Sequence, residues 1–154
     1  MGKLFGTDGV RGRAGSFPLD DDCVFLLGKA VTRSLRKRNL EPRILIGRDT
    51  RESGAGIESA LAEGIRCGGG RVASAGVLPT PAVSFIVRKR GFSAGIMISA
   101  SHNPYEDNGL KVFNQEGMKL DEKWEEEIEN EILETGGRTE MPGGFEGTDR
   151  EALP

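Results

Sequence analysis

RILIGRDTRESGAGIESALAEGIRCGGGRVASA, residues 43–75, holds the pattern from which the fold follows. Residues 43–46 form a short apolar run after Pro42, the reading of a buried strand, and Gly47-Arg48-Asp49-Thr50-Arg51 is a polar turn. From 53 to 67 the period lengthens: Ile57, Leu61 and Ile65 recur at four-residue steps, the stripe of an amphipathic helix. Gly68, Gly69 and Gly70 can take the left-handed conformation that ends a helix, and 71–75 resumes an apolar strand. Strand, helix and strand in so few residues make a parallel crossover unit.

The flanks extend the alternation. Upstream, Cys23, Leu27, Val31 and Leu35 give residues 22–38 a helical stripe, with Asp20 to Asp22 at its start. Downstream, Leu78-Pro79-Thr80-Pro81 turns the chain into a helix through Val83, Ile86 and Val87. Residues 93–99 and 110–113 read as strands, and Trp124, Ile128 and Ile132 mark a last helix over 121–133. The expected class is α/β, a layered domain with a mainly parallel mixed sheet flanked by helices. The last strand can return antiparallel on 93–99, because Asn108-Gly109 before it is a tight-turn signal. One domain is expected over 1–135. Residues 136–154, rich in Gly, Glu and Thr, read as a linker or tail toward a missing second domain.

Composition narrows the function. A net charge of −3 supplies no bulk attraction to nucleic acid or anionic membranes, so neither is an expected partner. Cys23 and Cys67, far apart and without a neighbouring cysteine or histidine, fit neither a disulfide framework nor a zinc site and suggest a reducing cytoplasm. The N-terminus lacks the apolar core of a signal peptide, and no apolar run has membrane-spanning length.

Three polar, glycine-punctuated segments occur where an α/β sheet exposes its loops: 5–12, 47–54 and 99–111. The third holds Ser99, Ser101, Asn103, Pro104 and the sole histidine, His102. A Ser101–His102 hydrolase pair is a poor fit, because neighbours in an extended segment point apart and no Gly-x-Ser-x-Gly elbow surrounds the serine. A serine carrying a phosphoryl group instead needs cationic and N–H donors around a dianion, and Arg11, Arg48, Arg51, His102 and Lys111 are available. Each residue also has a plainer role, since loop arginines often pair with acids such as Asp49 or Glu52 and serines commonly close local turns.

Taken together, these motifs resemble those of the α-D-phosphohexomutases. Gly95 to Pro104, GIMISASHNP, is similar to that family's phosphoserine signature, with Asn108-Gly109-Leu110-Lys111 as its companion. Phe5 to Gly12, FGTDGVRG, and Gly47 to Gly54, GRDTRESG, resemble its other first-domain motifs in the same order. The resemblance implies that Ser101 is phosphorylated and gives its phosphoryl group to one sugar hydroxyl, then takes it back from another. It further implies Lys111 as general acid/base, Arg11 assisting it, His102 and Asn103 shaping the loop, and Thr7 and Arg48 lining the cleft. Mg²⁺ is the implied cofactor, held in part by the Ser101 phosphate.

The implied partners are a hexose phosphate substrate, a hexose bisphosphate intermediate and the remaining domains of a four-domain parent. Residues 4–12 with 97–109 look most like the members that interconvert glucosamine 6-phosphate and glucosamine 1-phosphate, although members acting on other hexose phosphates share the loop. A non-catalytic domain that binds phosphorylated ligands is the alternative. The Asp-Gly-Asp-Gly-Asp metal loop of the family is not in the sequence, so the chain alone is expected to fold without catalysing isomerisation.

Overall fold

The structure, a computed structural model, describes residues 4–135 and 151–152. Its elements run β1 (Val10–Arg13), α1 (Asp21–Lys37), β2 (Arg43–Arg48), α2 (Gly54–Cys67), β3 (Arg71–Val77), α3 (Thr80–Arg90), β4 (Ala94–Ile98), β5 (Asp107–Asn114), α4 (Glu122–Glu134) and β6 (Glu151–Ala152). The strands make one mixed sheet in the order β1-β5-β4-β2-β3-β6. β2 pairs parallel with both β3 and β4, and β5 returns antiparallel on β4. Most of residues 136–154, read above as linker or tail, lies outside the described residues; Glu151–Ala152 pair parallel with β3.

Alternation along the strands divides the core by face, since residues two apart on a strand share a side. Ile44 and Ile46 of β2, Ile96 and Ile98 of β4, and Leu110 and Val112 of β5 pack with the buried stripes of α1, α2 and α4. Leu45, Met97 and Phe113 face the other way, against Val83 and Val87 of α3. α1 and α2 approach at glycines. A Cβ on Gly28 would lie 2.4 Å from the Leu61 carbonyl oxygen, and one on Gly64 would lie 2.0 Å from that of Phe25.

Two expectations are corrected. Asn108-Gly109 is not a turn but lies inside β5, which begins at Asp107. The turn propensity of the pair is overridden by packing: Asn108 is fully buried, and its Nδ2 donates to Ser53 Oγ at 2.9 Å. Gly109 sits where a Cβ would meet the carbonyl oxygens of Ser99 at 2.8 Å and Val10 at 3.0 Å, so three strands crowd there. The second correction is β1, whose residues 10–12 belong to the segment read as a polar, glycine-punctuated loop; it pairs antiparallel with the start of β5.

Cys23 is buried in α1, and desolvation, with the Asp20 carboxylate adding to it, pushes its thiol up to about 12, whereas Cys67 is exposed. Alkylation proceeds through the thiolate. Iodoacetamide at pH 8 is therefore expected to label Cys67 and spare Cys23 until the protein is unfolded, which peptide mass mapping reads directly.

Candidate functional site

The loop from Ser99 to Glu106 connects β4 to β5 beyond the C-terminal end of β4, beside the loop that follows parallel β2. Open α/β sheets bind ligands at the carboxyl ends of their strands. Ser101 is exposed and takes φ of 52°, the left-handed region. For a side chain other than glycine this conformation costs about 1–3 kcal/mol and persists only where the surroundings impose it.

The surroundings here are built from the β2 loop. Asp49 receives a hydrogen bond from Ser99 Oγ at Oδ2, 2.7 Å, and Ser99 Oγ in turn accepts from the Ser101 backbone N–H at 3.1 Å. Arg51 completes the frame. Its Nε donates to Asp49 Oδ2 at 3.3 Å, Nη1 to the carbonyls of Pro104 (2.5 Å) and Asp107 (2.9 Å), and Nη2 to those of Ser101 (2.9 Å) and Asn103 (3.0 Å). A guanidinium has five N–H donors, and all of them are engaged. Its side chain is only 9% exposed. Arg51, grouped above with the anion donors, is therefore committed to backbone carbonyls. The Tyr105 hydroxyl joins the two loops again by accepting from the Glu52 N–H at 3.0 Å.

The other candidate residues fall into two sets. Arg11 of β1 stands across from Gly109 of β5, and a Cβ there would come within 3.1 Å of Arg11 Cγ, so the arginine stem crosses the strand over that glycine. Its Nη1 reaches Asn103 Oδ1 in the serine loop at 3.2 Å, while Nε is buried with no hydrogen-bond partner among the described residues. Lys111, two residues beyond Gly109, shares that face and is partly exposed opposite Met97. Thr7 is exposed at the tip of a tight turn closed by reciprocal Gly6–Gly9 backbone bonds, and the segment before it is tethered where the N–H groups of Leu4 and Phe5 donate to Glu129 of α4. His102 is exposed in the loop beside Ser101.

Arg48 stands apart. It follows Ile44 and Ile46 on the α2 face of the sheet, and its Nη1 lies 2.6 Å from Oε1 of the fully buried Glu58. It packs on the first residue of α2, where a Cβ on Gly54 would meet Arg48 Cδ at 3.0 Å. The ion pair is the plainer role of a loop arginine, with an acid of α2 as its partner.

The arrangement presents a serine hydroxyl at the protein surface, with the Arg11 guanidinium reaching the same loop through Asn103. Among the described residues, no group of three or more His, Cys, Asp or Glu side chains could hold a metal ion. Any metal bound here would therefore need ligands besides the carboxylate, imidazole and thiol groups of the described residues.

The sequence matches, over residues 2–138, the family described as phosphoglucomutase/phosphomannomutase, alpha/beta/alpha domain I. The chain belongs to the phosphohexomutase family. Among its relatives, the phosphoglucosamine mutase of Syntrophobacter fumaroxidans is 52% identical over 134 residues, an alignment covering 87% of this chain and 30% of that protein. The phosphoglucosamine mutase of Heliobacterium modesticaldum is 48% identical over 156 aligned positions, covering all of this chain and 34% of that protein. This phosphohexomutase domain thus spans about a third of the length of the curated relatives it matches.

A solved structure described as a putative phosphomannomutase from Thermus thermophilus superposes with a TM-score of 0.80 at 28% identity, covering 97% of this chain and 32% of that one. The Paramecium phosphoglucomutase pp63/parafusin, at 24% identity and a TM-score of 0.73, has the same fold over 85% of this chain and 25% of its own. Within the phosphohexomutases, the relatives place this domain nearest the phosphoglucosamine mutases, as its motifs do.

Proposed function

We propose that this chain is the phosphoserine-bearing first domain of a mutase that interconverts glucosamine 6-phosphate and glucosamine 1-phosphate through a bisphosphorylated sugar. The observation that carries the reading is Ser101, exposed and held at φ 52° by a loop whose carbonyls are pinned from the neighbouring strand's loop. That is preorganisation: a reacting group fixed in position before substrate arrives removes part of the entropic barrier.

In the proposed cycle Lys111 takes the proton of a sugar hydroxyl as its oxygen bonds to the seryl phosphorus. The P–Oγ bond breaks, and the Ser101 oxygen takes a proton from solvent, which it returns when it attacks in the second half of the cycle. After the bisphosphate turns over in the site, Ser101 Oγ attacks the other phosphoryl group. The sugar oxygen released takes back a proton from Lys111, so protons and phosphoryl groups balance and only the sugar is isomerised. Arg11 stabilises charge on the equatorial oxygens, which phosphoryl transfer concentrates there. His102 and Asn103 shape the loop and Thr7 lines the opening, whereas Arg48, engaged with Glu58 on the α2 side of the sheet, is left out of the transfer. Mg²⁺ belongs to the same proposal: the Ser101 phosphate would hold it in part, and it would supply positive charge against the group in transit. We assign 1–135 to the domain and 136–154 to the connection toward the rest of the enzyme, in a cytoplasmic protein.

The test is turnover by the protein expressed at the full length of its gene, with glucosamine, glucose and mannose phosphates compared by kcat/KM. Preference for glucosamine phosphate is expected, and failure to isomerise any of the three overturns the reading. Residues 1–154 assayed alone are expected to give no turnover in a coupled assay, while showing cooperative thermal unfolding. Isomerisation by this piece would show that the missing catalytic parts are not needed.

A further inference from the structure

We infer that Arg51 is a positioning residue for phosphoryl transfer at Ser101, acting by holding the backbone of the serine loop and not by binding phosphate. The inference rests on the phosphoserine reading of Ser101 and goes beyond it, because neither the motif nor the reaction distinguishes a phosphate-binding arginine from a structural one.

The geometry makes the distinction. An arginine that receives phosphate keeps N–H groups directed at the ligand and takes part in a bidentate fork. Arg51 has none to spare: four N–H groups go to carbonyl oxygens spread over Ser101, Asn103, Pro104 and Asp107, and the fifth to Asp49. These acceptors span the whole turn after Ser101. Released, the carbonyls of Ser101 and Asn103 would lose the charge-assisted bonds that oppose relaxation of φ at Ser101 toward the commoner right-handed region.

Asp49 is the hinge of the same frame. One carboxylate accepts from the Arg51 backbone N–H at Oδ1, 3.0 Å, and from Arg51 Nε and Ser99 Oγ at Oδ2. Ser99 Oγ then accepts the Ser101 N–H. Two routes from one three-residue span of the β2 loop thus fix both backbone polar groups of Ser101: Arg51 its carbonyl, Asp49 through Ser99 its N–H. The nucleophile is aimed by residues about 50 positions upstream.

The experiment compares Arg51→Lys, Arg51→Ala and Asp49→Asn with wild type in the full-length protein, reading kcat, KM for the sugar phosphate, and the rate at which Ser101 takes a phosphoryl group from glucose 1,6-bisphosphate. A displacement of order 1 Å at a reacting group can cost about 100-fold. Arg51→Ala and Arg51→Lys are both expected to lower kcat and the phosphorylation rate by about that factor, with KM within about threefold of wild type. A lysine has three donors on one nitrogen and cannot reach acceptors spread over four residues. Asp49→Asn is expected to lower kcat by a smaller factor in the same direction.

A phosphate-binding role predicts the opposite pattern: KM raised, and activity largely restored by Arg51→Lys because the charge is kept. That pattern, or wild-type kinetics in Arg51→Lys, overturns the inference. If Arg51→Ala does not fold, Arg51→Lys and Asp49→Asn decide alone. Ser101→Ala run alongside separates the two levels, since turnover surviving in that variant defeats the phosphoserine reading itself, whereas a dead Ser101→Ala beside unaffected Arg51 variants defeats only the inference.

Discussion

Ser101→Ala is expected to abolish isomerisation by the full-length protein, lowering kcat by at least about 10,000-fold, because loss of a covalent nucleophile removes the reaction path and not merely one contribution to it. Stability should change little. The side chain is exposed, and serine and alanine pay a similar steric cost in the left-handed region that Ser101 occupies. Matched unfolding curves beside absent turnover would therefore place the effect on chemistry. Ser99→Ala gives an informative contrast: it removes the acceptor for the Ser101 N–H and the donor to Asp49, so a partial loss of kcat is expected, with the phosphorylation site unchanged. If Ser101→Ala retained more than a few per cent of wild-type turnover, direct transfer between sugars would have to replace the phosphoserine.

The second large effect concerns the fold that carries the site. Gly64→Ala is expected to destabilise the domain by about 2 kcal/mol or more. Alanine gains about 1 kcal/mol over glycine in helix propensity. Against that, the added Cβ would stand 2.0 Å from the carbonyl oxygen of Phe25 and 2.9 Å from its carbonyl carbon, so α1 and α2 must separate. Overpacking of this kind typically costs about 1–3 kcal/mol, and more where the obstructing atoms are backbone that cannot rotate away. Gly56→Ala in the same helix is the control: no atom lies within 4 Å of its would-be Cβ, and up to about 1 kcal/mol of stabilisation is expected. Urea unfolding of the two variants should thus shift in opposite directions. A Gly64→Ala midpoint equal to or above wild type would show that the two helices do not meet backbone to backbone.

Much of this architecture was legible in residues 43–75, because period and punctuation there report burial directly. Ile57, Leu61 and Ile65 face the core, and the strands around them sit within two residues of where their apolar runs suggested. What was not legible depends on contacts between distant segments. Asn108-Gly109 has the composition of a turn, yet burial of Asn108 against Ser53, 55 residues away, keeps it in a strand. β1 has no apolar period of its own and exists because β5 offers it an edge.

The candidate site divides in the same way. Ser101, Asn103 and Arg11 could be named from motifs, and Arg11 does reach the serine loop through Asn103. The roles of Arg48 and Arg51 could not be separated by residue type. Alternation would have parted them had β2 been extended to its end at Arg48, since that residue then falls with Ile44 and Ile46 on the α2 side. Arg51, one turn further, has left the sheet, and only the positions of its acceptors reveal it as a support for the loop.

The central claim is that Ser101 carries the phosphoryl group in transit. Its most direct test is the intact mass and phosphopeptide map of the full-length protein after incubation with Mg²⁺ and a hexose bisphosphate. One phosphoryl group per chain, located on Ser101 and absent from Ser101→Ala, is the predicted result. An unlabelled full-length protein, or a label that persists in Ser101→Ala, would contradict it.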